Sequence, residues 1–249
     1  MHASLQASLR GALLRRPDVV SVGPFAVAFD PGSDSPFRNY AVPDDGAQPT
    51  SAEVADLRRA FVRRGRRPRL EFLPAAAPAV EDALLRAGFT TEARLPIMTC
   101  TPSQLREVAP PPEVELAAVA DGDALREAAE VQNAAYGAAR ATDADVARLE
   151  DTVADGGVVG LAREARGRGV GSGLVAAPSG GLAELAAVGV LPAWRRRGIA
   201  GALTGTLGRA AFDRGIEILM LMAYEAEQGI YARAGSTVAS EIIFVSEPA

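Results

Sequence analysis

The chain has 249 residues, 48% of them apolar and 23% charged, with a formal net charge of −5. That is enough for one large domain or two modest ones, in the composition of a folded globule. No apolar run is long enough to span a bilayer, and Leu5–Leu14, broken by Arg10, lacks the pattern of a secretory leader, so a cytoplasmic location away from membranes is expected.

The residue inventory narrows the chemistry. One cysteine (Cys100) excludes an internal disulfide and any multi-cysteine zinc site, and no metal is expected. A single histidine (His2) argues against Ser-His-Asp and Cys-His catalysis. All 26 basic residues are arginine, a bias that looks like codon composition; it also excludes a Schiff-base lysine. Residues 1–112 hold 14 Arg against 12 Asp and Glu (+2), and residues 113–249 hold 12 against 19 (−7). An acidic second half argues against nucleic acid as a partner and mildly favours a cationic one.

In chain order, Thr50-x-x-Glu53 is a capping box that opens a helix running through Leu57–Gly65. RLEFLPA follows as a strand, then a helix that ends at RAGFT (Arg86–Thr90). APPPE (Ala109–Glu113) cannot continue a helix or join a central strand, so residues 1–108 and 113–249 are expected as two units. The second unit opens with a strand at Val114–Ala120. A helix at Asp123–Gly137 follows, with Leu125, Ala128, Val131 and Ala135 on one face. DADVARLEDTVAD is a second helix, and GGVVGLAREARGRGVGSGLVAAP is a hairpin about a glycine-rich turn. Gly181–Pro192 is a near-continuous apolar strand, expected to be central; Gly198–Arg214 is a helix with a stripe of Ile199, Leu203, Leu207 and Ala210. IEILMLMA is a buried strand, EAEQGIYARAG a helix ending at Gly235, and STVASEIIFV a last strand or strand pair. This order predicts a mixed sheet with helices on both faces.

The first unit echoes the second. LRRAFVRRG aligns with LGRAAFDRG (Leu207–Gly215), RLEFLPA with IEILMLMA, and RAGFT with RAGST (Arg233–Thr237). A helix–strand–helix–strand block therefore occurs twice.

The stretch PAWRRRGIAGAL (Pro192–Leu203) concentrates three arginines where a helix begins. Helix N-termini already carry partial positive charge and unpaired N–H groups, so further cations there call for an anion. Gly198 and Ala200 lack bulk, so a ligand can approach the backbone, and a diphosphate fits such a nest well.

RRRGIA, in its strand–loop–helix context and with the downstream Tyr-x-x-x-Gly of YARAG, resembles the Arg/Gln-x-x-Gly-x-Gly/Ala signature of the GCN5-related N-acetyltransferase (GNAT) superfamily. The resemblance covers about residues 113–249 and implies a mixed, mostly antiparallel GNAT sheet that splays between its fourth and fifth strands. It implies that Arg195, Arg196, Arg197, Gly198, Ile199, Ala200 and Gly201 hold the pyrophosphate of acetyl-CoA, and that Val188 and Val190 pair their backbone with its pantetheine arm. An amine would attack the thioester directly. An alkyl ammonium, with a pKa of about 10, must first lose a proton. Glu184, on the fourth strand, stands at the offset of the family's catalytic glutamates and is the candidate base, acting through water. Tyr231 stands where the family's general-acid tyrosine stands. The acceptor would be a small-molecule or peptide amine near Tyr136–Asp143 and the Glu225 loop, with Glu225 and Glu227 themselves read as facing water. A homodimer is one compatible assembly.

In the first unit Leu84 stands in place of Tyr231 and the Arg-x-x-Gly motif is missing, so residues 1–108 are read as a degenerate, partial GNAT-like lobe that does not bind CoA. Its RRAFVRRGRRPR cluster is read as a solvated face or a surface docking on the acidic half. GRGVGSG fits a hairpin turn rather than a dinucleotide loop, and no G-x-S-x-G is present. Two other function classes stay open: a non-catalytic CoA-binding regulatory or scaffold protein, and an interaction module working through the Arg-rich cluster.

Overall fold

The computed structural model describes residues 2–248, with side chains from residue 5 onwards. It divides into two compact units, residues 1–97 with 239–249, and residues 98–238.

The first unit starts with α1 (His2–Leu14), in which His2 has its side chain outside the described part. There follow β1 (Val19–Val22), β2 (Phe25–Ala28), β3 (Tyr40–Pro43), α2 (Ser51–Val62), β4 (Arg69–Phe72), α3 (Pro78–Arg86) and most of β5 (Thr90–Cys100). β1, β2 and β3 pair antiparallel in sequence, and β3 pairs parallel with β4 across the α2 crossover. The core is aromatic: Phe25, Phe61 and Phe72 are fully buried, and Phe61 meets Phe29 edge-on at 5.2 Å.

The second unit holds β6 (Val114–Val119), α4 (Gly122–Ala135), α5 (Asp143–Ala154), β7 (Val158–Glu164), β8 (Gly169–Val175) and β9 (Leu182–Val190). A 3-10 turn (Pro192–Trp194) leads to α6 (Ile199–Phe212), β10 (Ile218–Met222) and α7 (Glu225–Arg233). β6, β7, β8 and β9 pair antiparallel in sequence, and β9 pairs parallel with β10 across the α6 crossover. The expected elements are present in the expected order. The four residues expected along α4 are buried; along α6 the buried stripe is Ile199, Leu203, Leu207 and Ala211, so its last member is Ala211 rather than Ala210. An i, i+4 series keeps one face better than a final step of three. Among the described residues no helix is long and apolar enough to cross a membrane.

The repeat extends to the turns. Gly65 and Gly215, at φ +62° and +85°, follow α2 and α6. Arg66 N–H donates to Phe61 O at 3.0 Å and Ile216 N–H to Ala211 O at 3.2 Å. After α3 and α7, Gly88 and Gly235 stand at φ +89° and +103°, with Phe89 N–H on Leu84 O (3.1 Å) and Ser236 N–H on Tyr231 O (3.0 Å). All four are Schellman closures, which need a left-handed residue. The crossover is shared as well: β3-α2-β4 and β9-α6-β10 are both parallel.

The units are not divided at the proline run. Residues 98–108 pack within the second unit, against a line of glycines on α6. A Cβ on Gly201 would lie 3.3 Å from Val108, and one on Gly208 2.8 Å from Leu105. Three helical glycines cost propensity, and here they admit a strap of chain. The last strand, β11 (Thr237–Ser246), crosses the other way: from Ala239 onwards it belongs to the first unit and pairs antiparallel with β4, Ile243 opposite Phe72. Ile243 and Val245 are completely buried in that unit's core, so burial draws the strand out of its sequence neighbourhood.

Candidate functional site

The site forms where β9 parts from β10. Their register covers only Leu182–Glu184 against Ile218–Met220. β9 runs on to Val190 without β10 beside it, and it bulges: Ala187 is left-handed at φ +54° and the register with β8 shifts between Ser172 and Leu174. Gly173 makes room, since a Cβ there would lie 3.1 Å from the Val188 side chain.

Leu191 N–H donates to Val170 O at 2.9 Å, and the register sets Ser172 opposite Gly189. Hydrogen-bonded pairs alternate along an antiparallel ladder, so Gly189 bonds to β8 while Val188 and Val190 turn their N–H and C=O groups to the open edge.

At the end of this edge α6 begins. Gly198, its N-cap residue, is left-handed at φ +86°, and no side chain caps it. The first turn carries no acidic residue, so the N–H groups of Ile199, Ala200 and Gly201 and the positive end of the helix dipole face outward. The N-terminus of α2, its counterpart in the repeat, is closed: Thr50 Oγ1 accepts from Glu53 N–H at 3.2 Å, and Glu53 Oε2 accepts from Thr50 N–H at 2.8 Å. These bonds hold the Glu53 carboxyl below the usual carboxylate range, so a second anion would meet a resident one.

The three arginines separate into three roles. Arg195 donates from Nε to Val190 O (3.0 Å) and from Nη2 to Ala135 O (2.8 Å), clipping the end of α4 to β9. Arg197 lies over the Trp194 ring at 4.7 Å and pairs with Glu113 at 3.5 Å. Among the described residues the Arg196 side chain has no hydrogen-bond or ion-pair partner; it sits on a left-handed backbone at φ +65°.

A cleft of about 610 Å³ joins these features. Val188, Val190, Arg195, Arg196, Gly198, Ile199, Ala200 and Gly201 all line it; Arg197 does not. Its lining also includes Tyr136, Trp194, Glu227 and Arg233, and Arg233 too has no partner among the described residues. Glu227 was expected to face water. It is exposed and lines the cleft, whereas Glu225 does not.

Glu184 and Tyr231 do not line the cleft. Glu184 is half-buried on β9, opposite Met220, and its carbonyl accepts from Ala176 N–H at 2.8 Å. Ala183 and Leu185 belong to the core that α6 covers, so strand alternation sets Glu184 on the other face. Tyr231, on α7, packs against that core. Burial, with Glu227 and Tyr136 nearby, pushes its phenol well above the usual tyrosine value, so it stays protonated. Cys100 is buried in the same core with its thiol pushed up, the opposite of an activated nucleophile.

Residues 176–235 match the acetyltransferase (GNAT) family model. A GCN5-related N-acetyltransferase from Kribbella flavida is 26% identical in sequence and superposes with a TM-score of 0.85, covering 100% of this chain and 96% of that one. A GCN5-related N-acetyltransferase from Sphaerobacter thermophilus, 18% identical, has a TM-score of 0.67 and covers 84% and 71%. A tandem GNAT protein from the clavulanic acid biosynthesis pathway, 13% identical, has a TM-score of 0.65 and covers 97% and 88%. The last two speak for the fold alone. No curated protein matches the sequence.

Proposed function

We propose that this protein, whose residues 176–235 match the GNAT family model and whose fold resembles that of GNAT proteins, transfers an acetyl group from acetyl-CoA to an amine by direct attack. The observation that carries this reading is the uncapped N-terminus of α6 beside the open edge of β9, in one cleft. Outward N–H groups, a helix dipole and the unpartnered Arg196 suit a diphosphate. The strand edge suits the amides of an extended arm. The buried Cys100 thiol favours direct transfer over an acyl-enzyme.

In this reading the amine gives up a proton, through water, to Glu184. Its lone pair attacks the thioester carbon, the tetrahedral adduct loses its C–S bond, Tyr231 supplies a proton to the departing thiolate, and the second proton that the nitrogen must shed passes back to the Tyr231 phenolate. The acceptor is a small-molecule or peptide amine reaching the cleft past the end of α4. The first unit, its α2 N-terminus closed by Glu53, serves as a lobe that does not bind CoA.

A second reading, CoA binding without turnover, is favoured by one observation: neither Glu184 nor Tyr231 lines the cleft. A thiol-release assay over a panel of amines decides between them. The proposal expects turnover with at least one amine, and a roughly 10²-fold lower kcat in Tyr231→Phe at unchanged KM, as for loss of one proton-transfer group. Acetyl-CoA binding with no turnover on any amine would establish the second reading.

A further inference from the structure

The open edge of β9 presents two carbonyls, and both are occupied from within the chain. Val190 O accepts from Arg195 Nε at 3.0 Å, and Val188 O accepts from the Tyr136 hydroxyl at 3.2 Å. An extended arm that pairs along this edge with its own amide N–H meets these two groups first.

The two contacts differ in strength. Arg195 is charged and bonds two carbonyls at once, so its release would leave both without a donor. Tyr136 is neutral, makes one longer bond and is 64% exposed. It stands at the C-cap of α4 with the left-handed Gly137 (φ +72°) behind it. Its ring lies beside Gly189: a Cβ there would be 2.8 Å from Ala135 Cβ and 3.3 Å from Tyr136 Cε2, so the glycine makes room for the end of α4 and with it the ring. Although the residue as a whole is exposed, desolvation at its hydroxyl end, with Glu227 nearby, pushes the phenol up, so it remains a hydrogen-bond donor at neutral pH.

We infer that Tyr136 is a latch on the arm-binding edge: its hydroxyl stands in for an amide N–H of the acyl-CoA arm on Val188 O and is exchanged for that amide when the arm binds. The inference rests on the acyl-CoA reading of the cleft. It makes Tyr136 a positioning residue whose bond opposes binding of the arm while leaving the diphosphate end of the cleft untouched. Released from β9, the ring moves off Gly189 on the side where α4 ends and the acceptor is expected.

The test uses Trp194, the one tryptophan of the chain, which lines the same cleft. Its fluorescence is followed while wild type and Tyr136→Phe are titrated with acetyl-CoA and, separately, with adenosine 3′-phosphate 5′-diphosphate, which keeps the diphosphate and lacks the arm. The expected result is about fivefold tighter acetyl-CoA binding by Tyr136→Phe, the size of one neutral hydrogen bond, with unchanged affinity for the armless nucleotide. Unchanged or weaker acetyl-CoA binding by the variant, or the same shift for both ligands, would overturn the latch. Failure of the wild-type protein to bind acetyl-CoA would overturn the acyl-CoA reading and the latch with it.

Discussion

The run Arg195-Arg196-Arg197 yields a prediction that separates three roles three adjacent identical residues can play. Arg195 makes two bonds to main-chain carbonyls, at 3.0 and 2.8 Å. A buried bond from a charged donor contributes about 1.5–3 kcal/mol. Arg195 is exposed as a residue, so about 1 kcal/mol for each bond is the appropriate scale. Arg195→Ala should then lose about 2 kcal/mol of stability. Arg195→Lys should recover at most half, because an ammonium cannot span both carbonyls as a planar fork does. Arg196→Ala should stay within about 0.5 kcal/mol in stability and weaken acetyl-CoA binding about tenfold, as for one charge-assisted bond to phosphate. Arg197→Ala should change neither by more than about 0.5 kcal/mol, its ring contact and ion pair being exposed. Urea denaturation and calorimetric titration of the same four variants provide the readings. An Arg195→Ala protein of unchanged stability that no longer binds acetyl-CoA would refute the assignment and make Arg195 the phosphate ligand.

Two further predictions concern the scaffold. Gly208→Leu drives a side chain into Leu105, 2.8 Å from its Cβ position. It should cost about 1–3 kcal/mol, part of it regained in the double variant with Leu105→Ala; equal costs in both would show that the strap is not packed there. In Asp145→Asn, the α5 capping box loses the carboxylate whose oxygens accept from Arg148 and from Thr142 N–H and hydroxyl. Those donors hold the Asp145 carboxyl far below its ordinary value, led by Arg148. A depressed folded value contributes stability above the unfolded pKa of about 3.9, and that contribution is lost as pH falls further. The gap between wild type and Asp145→Asn should therefore be full at pH 7 and shrink as pH drops below about 4. A gap that is constant with pH would contradict it.

Much of this architecture is legible in the sequence because local rules agree there. The apolar run Gly181–Pro192, the glycine-marked helix ends and the Ile199/Leu203/Leu207 stripe each point to one element, and each element is present. The repeat is legible for the same reason: left-handed closures after α2, α6, α3 and α7 demand glycine at fixed places. The exchange of β11 into the first unit is not legible, since strand alternation says which face is buried and not which core buries it. The strap over α6 left a readable trace, Gly201-x-x-x-Gly205-x-x-Gly208, whose meaning depends on a distant partner. At the site, motif position marks the backbone of Arg195–Gly201. The divergent duties of the three arginine side chains depend on carbonyls at Ala135 and Val190 and on the ring of Trp194, which only the fold brings near. Tyr136 and Arg233 likewise reach the cleft through tertiary placement.

The central claim is that the N-terminus of α6 holds the phosphates of acetyl-CoA. Calorimetry on wild type, Gly198→Ala and Gly198→Glu tests it most directly. Apart from its chain neighbours and the adjoining helix backbone, no described atom lies within 4 Å of a Cβ at Gly198, so both side chains have room, and both bear the same strain at φ +86°, about 1–2 kcal/mol. Only the glutamate adds a carboxylate where the phosphates would sit. The account predicts micromolar binding by wild type, modestly weaker binding by Gly198→Ala and none by Gly198→Glu. No binding by wild type, or Gly198→Glu binding as well as Gly198→Ala, would contradict it.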